Sequence, residues 1–191
     1  MEKNGGSGNV PSEGGKLRAT PEEVGKFLAQ AYVSAFGPDE FHEVFDNESL
    51  ADGQSMDSAL AEWHAFGCFI FTHCLWVTYR CRSKVVAILD CFRPALLNLL
   101  SLSEAVESAL LDIALDREEE YVPRFLAAKD GTDLMAFFSR VIARITGDFD
   151  ADLDSKGLPQ TCDIVTNLGL SAKTSVVIAL TMSALKQCRL E

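Results

Sequence analysis

The sequence lacks the short motifs that mark common classes of enzyme. It contains no G-x-S-x-G segment, no P-loop, no G-x-G-x-x-G motif after a strand and no H-E-x-x-H pair. It has only 3 histidines, and none of them lies beside an obvious nucleophile–base pair. An active site can also be assembled from scattered residues, but these absences favour a protein that is not an enzyme and that carries no cofactor.

Paired cysteines of the kind that bind metals are also missing. The 6 cysteines form no C-x-x-C pair, and most lie in apolar helical sequence, where free Cys behaves as a small hydrophobic residue. The first residues, MEKNGGSGNVPSEGGK, contain no apolar segment like that of a signal peptide. These features predict a reduced, cytoplasmic protein.

Basic residues are few relative to acidic ones. The 17 Lys and Arg against 28 Asp and Glu leave a net charge of −11. The resulting field repels nucleic-acid phosphates and anionic membrane surfaces, and it would oppose any local basic patch. We therefore expect the partner to be another protein or a second copy of the chain, rather than nucleic acid or a membrane. A protein partner with a basic surface would complement the negative charge of this chain.

One uncharged apolar segment organises the predicted fold. Between Trp63 and Tyr79 there is no formal charge, and apolar residues occupy every side of a helical wheel, so this helix must be enclosed by other helices or by lipid. Its roughly 17 residues span about 25 Å, which is short for a bilayer core. His64 and His73 would also be costly in lipid. The pattern predicts the central helix, residues 59–80, of a soluble all-α protein.

The rest of the sequence divides into a tail, a helical domain and one loop. Residues 1–18 are rich in Gly, Ser and Asn and predict a flexible N-terminal tail. Residues 19–191 show no strand-like alternation and predict a single globular domain of about seven or eight helices. Thr20 and Glu23 flank Pro21 as a helix start with a capping box.

An acidic tract between residues 39 and 62 is the first candidate functional surface. No Lys or Arg lies between Pro38 and Glu62. Charge runs often form only a solvated face, but this tract could also dock a basic partner. We expect partner binding by Glu40, Glu43, Asp46 and Glu48. The leading hypothesis is a non-enzymatic protein-interaction or regulatory module.

The aromatic residues of the central helix suggest an alternative function, a small-molecule or cofactor pocket. Its expected lining is Phe66, Phe69, Phe71, His73 and Trp76. The same residues would be ordinary core if the interior packs without voids. His64 and Cys68 share one helical face, but zinc needs two further ligands.

The segment GDFDADLDSKGLPQ is the best metal candidate, as a loop at residues 147–160 before the C-terminal helices. From Asp152 onward it loosely follows an EF-hand loop, although Lys156 stands where an oxygen ligand belongs. A solvated linker explains the same composition. If an ion binds, we expect its ligands to be Asp148, Asp150, Asp152 and Asp154.

The segment from Thr161 to Thr174, TCDIVTNLGLSAKT, resembles the turn of bacterial helix-turn-helix output domains. The resemblance covers about 25 residues and implies a DNA-binding segment at 161–186, with a turn at Gly169. A recognition helix should offer Arg, Lys, Asn or Gln to base edges, whereas this one continues SVVIALTM. A C-terminal helix buried against the central one is the competing prediction.

Overall fold

The computed structural model describes residues 16–45, 49–148 and 164–190. These ranges form β1 Leu17–Ala19, α1 Pro21–Phe36, α2 Pro38–Val44, α3 Met56–Tyr79, α4 Arg82–Leu100, α5 Glu104–Ala127, α6 Gly131–Thr146, α7 Ile164–Gln187 and β2 Cys188–Leu190. The all-α class is confirmed. The expected seven or eight helices slightly exceed the six long ones, because α2 has only 7 residues.

Local capping signals place several helix starts. The backbone N–H of Glu23 donates to Thr20 Oγ1 over 3.2 Å, and the backbone N–H of Thr20 donates to Glu23 Oε2 over 2.8 Å. The capping box predicted at α1 is therefore present. Ser55 caps α3 and Ser103 caps α5 with the hydroxyl alone, because each hydroxyl accepts a free N–H of the first turn.

Helix α3 contacts each of the other helices in the described part of the chain. Its residues from Ala59 to Leu75 are mostly buried, and Trp63 and Phe66 are fully so. The last turn differs from the expectation of a segment enclosed along its whole length, because Trp76 is 39% exposed. Here α3 reaches the surface before Arg80 ends it in the left-handed conformation.

Two glycines let α1 lie unusually close to its neighbours. A Cβ at Gly67 would lie 2.7 Å from Tyr32 Oη, and a Cβ at Gly25 would lie 2.8 Å from the Cβ of Cys91. Real Cβ atoms essentially never approach so closely. Side-chain volume at these positions would push α1 away from α3 and α4.

The C-terminal region differs from the predicted pair of helices. Helix α7 is continuous through Gly169, so the predicted turn is wrong and the helix-turn-helix geometry is not formed in the described residues. An exposed Gly weakens a helix by only about 1 kcal/mol, and the buried Leu170 and Leu185, which follow it, hold the rest of α7 on the domain. Only one face of α7 is buried, so the competing prediction of a buried helix is right for that face alone.

Two short strands also depart from the sequence predictions. Leu17–Ala19 pairs in parallel with Cys188–Leu190, so the last residues assigned to a flexible tail are ordered. Strands of 3 residues are too short to produce a periodic pattern, which is why no alternation revealed them.

Candidate functional site

An apolar groove runs along α3 beside α5, and α4 forms the opposite wall of one of its two halves. Helix α4 packs mainly on α1, and α5 packs mainly on α3, so the two helices leave a cleft between them. Its floor includes Phe69 and Thr72 of α3, which line both halves of the groove. The two halves have volumes of about 280 Å³ and about 440 Å³. We call this feature the α3–α5 groove.

The walls of the α3–α5 groove carry large exposed apolar side chains. On α5, Leu111 is 64% exposed, Leu115 is 69% exposed and Leu126 is 66% exposed. These leucines were not singled out in the sequence, although Leu111 and Leu115 share a helical face with the groove-lining Val122. Large apolar side chains exposed together on one face mark an interaction surface more often than single ones do.

One charged residue stands on each wall of the groove. Arg93 projects from α4 and Glu118 from α5, and both line the half of the groove that contains Cys68. Burial raises the pKa of the Cys68 thiol to about 11, against a smaller lowering by Arg93. The thiol is therefore protonated at neutral pH, and the groove offers one cation and one anion above an apolar floor.

The structure divides the aromatic residues expected to form a pocket into two groups. Phe69, His73 and Trp76 line one half of the α3–α5 groove. Phe66 and Phe71 lie instead in the core and are 0% and 1% exposed. Phe71 points away from the groove face of the helix, whereas Phe66 shares that face but is covered by aromatic rings of α5 and α6, which the composition of the segment could not show.

The predicted acidic partner-binding residues occupy different environments. Glu43 is exposed, whereas Glu40 forms an ion pair with Lys173 of α7 and is half-buried. Asp46 and Glu48 lie outside the described residues. Glu40 therefore joins α2 to α7 and is not simply a free surface charge.

The predicted Asp-rich ion site is mostly beyond the described residues. Of its four aspartates only Asp148 is described, at intermediate burial, and Asp150, Asp152 and Asp154 fall in the range that is not described. Across residues 16–45, 49–148 and 164–190, no group of three or more His, Cys, Asp or Glu is placed to hold a metal ion.

A buried hydrogen-bonded cluster joins α1 to α3. Tyr32 Oη lies 3.0 Å from His64 Nδ1 and donates to the His64 carbonyl oxygen over 3.0 Å. Burial lowers the pKa of His64 to about 4, so the ring is neutral at pH 7. Cys68 lies beside the same tyrosine, but these two potential zinc ligands, His64 and Cys68, gain no third His, Cys, Asp or Glu in the described chain. The cluster fixes the packing of the two helices.

A second polar cluster, which sequence reasoning missed, links α3, α5 and α6. Arg117 donates from Nε and Nη2 to the two carboxylate oxygens of Glu62, over 2.7 and 2.5 Å. Glu120 in turn faces Arg117, Arg140 and Arg144 at 3.5, 3.3 and 3.2 Å. No local spacing reveals a pair between residues 62 and 117. The cluster orients α5 and thereby the wall of the α3–α5 groove.

The site is thus an open apolar groove with one charge on each wall, supported by buried polar clusters beneath and beside it. Comparison of the chain with protein-family models, with curated proteins and with solved structures found no match.

Proposed function

We propose that this protein is a non-enzymatic interaction module that binds an amphipathic helix of a partner protein in the α3–α5 groove. The observation that carries the proposal is the row of exposed leucines along one wall of an uncovered apolar cleft. Grooves of this kind bind helices whose apolar side chains recur every three or four residues. The arrangement supports binding and positioning rather than catalysis.

The charges on the groove walls favour a partner helix that carries both acidic and basic residues. Arg93 on α4 suits an acidic residue of the partner, and Glu118 on α5 suits a basic one. Opposed charges of this kind select the direction in which a helix lies and contribute less to affinity than the apolar contacts do. The other groove-facing residues of the partner helix need only be apolar, so that they exclude water from the floor of the α3–α5 groove.

The test uses peptides selected by display from a library of helical sequences. The chain has 2 tryptophans, and Trp63 is 0% exposed, so a change in emission on binding reports Trp76 at the groove. The expected result is a saturable shift in Trp76 emission that Trp76→Phe removes. Selected peptides should carry apolar residues at helical spacing.

A matched pair of variants locates the binding surface. Leu115 is 69% exposed and Leu180, on α7, is 67% exposed, so either can be replaced without disturbing the core. Leu115→Glu should weaken peptide binding at least tenfold, because a buried unpaired carboxylate is unfavourable, and Leu180→Glu should leave it unchanged. Equal binding by both variants, or the absence of any selected peptide, would refute the proposal.

A small-molecule ligand is the second candidate, and one observation favours it. Phe69, His73 and Trp76 line a cleft of about 440 Å³, within the usual range for ligand sites. Partial burial lowers the pKa of His73, so this ring is a neutral hydrogen-bonding group at pH 7. Native mass spectrometry of the purified chain distinguishes the candidates, since a retained ligand lost in Trp76→Ala would support this one.

The acidic tract proposed for a basic partner can be tested separately. Glu40→Lys would break its ion pair with Lys173, so loss of binding by that variant would be ambiguous. Glu43→Lys reverses an exposed charge for which the structure shows no such role. Loss of a basic partner by Glu43→Lys, with the selected helical peptides still bound, would assign that partner to the acidic tract.

A further inference from the structure

The outer face of α7 is apolar although it is exposed. Leu168 is 54%, Val176 57% and Leu180 67% exposed, and no charged residue lies between Lys173 and Lys186. The helix from Leu168 to Gln187 has a mean hydropathy of 1.5 with 22% of the apolar window buried. By length and composition it could cross a membrane. Most surface helices instead place charges on this face.

A basic cleft adjoins the C-terminal end of this face. It is lined by Lys16, Lys84, Lys186 and Arg189, all exposed, and none of its lining residues is acidic. In the described part of the chain no carboxylate lies within ion-pair distance of these four side chains. We call them the basic pole.

Tertiary structure assembles the basic pole from distant parts of the sequence. The parallel pairing of Leu17 with Cys188 brings Lys16 to the end of α7, and the turn after α3 brings Lys84 there. Arg80 and Arg82, both exposed, lie in the same turn. Lys186 belongs to both features, because it continues the exposed face of α7 and lines the basic cleft.

From this juxtaposition we infer that the outer face of α7 and the basic pole together dock on the surface of an anionic lipid bilayer. Leu168, Val176 and Leu180 enter the boundary between headgroups and acyl chains, and the cations meet anionic headgroups. Three aliphatic side chains alone bind a bilayer weakly, and so do a few cations alone, so the pairing of the two signals is what makes docking effective.

The net charge of −11 does not prevent such docking. Screening limits the reach of each charge to about 8–10 Å at physiological ionic strength, so a membrane touching the basic pole responds mainly to that pole. The acidic remainder then favours the orientation in which it faces away from the anionic surface.

A second copy of the chain fits the same surface less well. From Leu168 to Lys186 the face is about 27 Å long and roughly 10 Å wide, or about 270 Å² by helix dimensions. A stable dimer buries about 800 Å² on each partner. A face of this size is enough for contact with a bilayer, because the cations of the basic pole contribute to the same contact.

The test is sedimentation of the full chain with sucrose-loaded vesicles of phosphatidylcholine alone or with one quarter phosphatidylserine. Binding is expected only to the anionic vesicles and should be reversed by 0.5 M NaCl. Each cation near the surface contributes about fivefold to partitioning. A triple exchange to Gln at the basic pole should therefore reduce binding about a hundredfold: Lys84→Gln, Lys186→Gln and Arg189→Gln.

Two further triple variants complete the design. Replacement of the exposed apolar residues of α7 should reduce binding at least tenfold: Leu168→Gln, Val176→Gln and Leu180→Gln. A control that removes three exposed cations elsewhere should keep binding within twofold: Lys26→Gln, Arg124→Gln and Lys129→Gln. All of these side chains are exposed, and circular dichroism checks that each variant is folded.

Five outcomes would overturn the inference. One is failure of the unmodified chain to bind anionic vesicles, and another is a loss of vesicle binding in the control triple variant equal to that in the basic-pole variant. A third is binding of single-stranded oligonucleotides that is tighter than binding of vesicles and that only the basic-pole variant loses. The fourth is vesicle binding that survives 0.5 M NaCl and pH 11, as expected for a membrane-spanning helix. Fifth, if the apolar variant changed only the molar mass measured by light scattering, the face would instead be an interface between copies.

Discussion

Arg117 of α5 binds both carboxylate oxygens of Glu62 of α3, and side-chain exposures of 14% and 9% place the pair near the protein interior. Fork-shaped donation of this kind fixes geometry as well as charge. The pair joins helices that are far apart in sequence and sets the position of the α5 wall of the α3–α5 groove.

Removing one partner of this pair should be more harmful than removing both. Arg117→Met leaves the Glu62 carboxylate buried without its cation and should lower the free energy of unfolding by about 3 kcal/mol at pH 7. Glu62→Gln combined with Arg117→Met should recover most of that loss, because no uncompensated charge remains. Urea denaturation measures both.

The exposed pair of Lys26 and Glu22 is the control for that comparison, since its side chains are 65% and 66% exposed. Lys26→Met should leave stability unchanged within error, because exposed pairs contribute little. Equal losses in the single and double variants at residues 62 and 117 would contradict the explanation by an unpaired buried charge.

His64 should make stability depend on pH in a specific window. Its pKa is lowered by burial from 6.5 to about 4, so the unfolded chain binds more protons between these values. The contribution of the neutral, buried His64 to stability is therefore fully present above pH 6.5 and is lost as the pH falls toward 4. Between pH 7 and pH 5 the loss should be about 2 kcal/mol.

The His64 contribution is measured as a difference between variants. Urea denaturation of the unmodified protein and of His64→Gln at both pH values should show that the variant lacks this part of the pH dependence. His42 is exposed, so His42→Gln should retain it. An unchanged dependence in His64→Gln would mean that other groups cause it.

Two glycine-to-alanine variants should have opposite effects. At Gly67 the added Cβ would lie 2.7 Å from Tyr32 Oη and 2.9 Å from the ring of Phe36, so Gly67→Ala should destabilise the protein by about 2 kcal/mol. At Gly169, in the exposed part of α7, nothing lies within 4 Å of the added Cβ. Gly169→Ala should therefore stabilise the protein by about 0.5–1 kcal/mol.

Thermal unfolding distinguishes these two variants directly. A fall in Tm for Gly169→Ala would indicate that α7 is not a continuous helix at this point. An unchanged Tm for Gly67→Ala would indicate that α1 and α3 are further apart than the structure shows.

Among the described cysteines, Cys81 should react with iodoacetamide before Cys68 and Cys74. Hydrogen bonds from Ser83 and Lys84 lower the pKa of Cys81, whereas burial raises the pKa of Cys68 to about 11 and of Cys74 to about 12. The thiolate is the reacting form, so the order of alkylation should follow these pKa values. Peptide mass spectrometry after timed alkylation reads this order, and Cys81→Ser should remove the fast phase.

Local signals in the sequence were sufficient for the helical class and for several helix starts. Thr20 and Glu23 satisfy each other's backbone groups within one turn, so that helix start does not depend on the rest of the fold. The segment that contains Trp63 and Phe66 is apolar on all sides, and it contacts every other helix in the described residues. A helix start or an apolar helix that is specified within a few residues forms independently of how the rest of the chain packs.

Which apolar residues are left uncovered was decided by the tertiary structure alone. Leu115 and Leu110 have the same chemistry, but α4 and α5 diverge and leave Leu115 exposed on the groove wall while Leu110 is buried. The meeting of Lys16 with Lys186 and of Glu62 with Arg117 depends equally on long-range packing. Exposure and charge pairing between distant residues are properties of how helices pack, so no short stretch of sequence determines them.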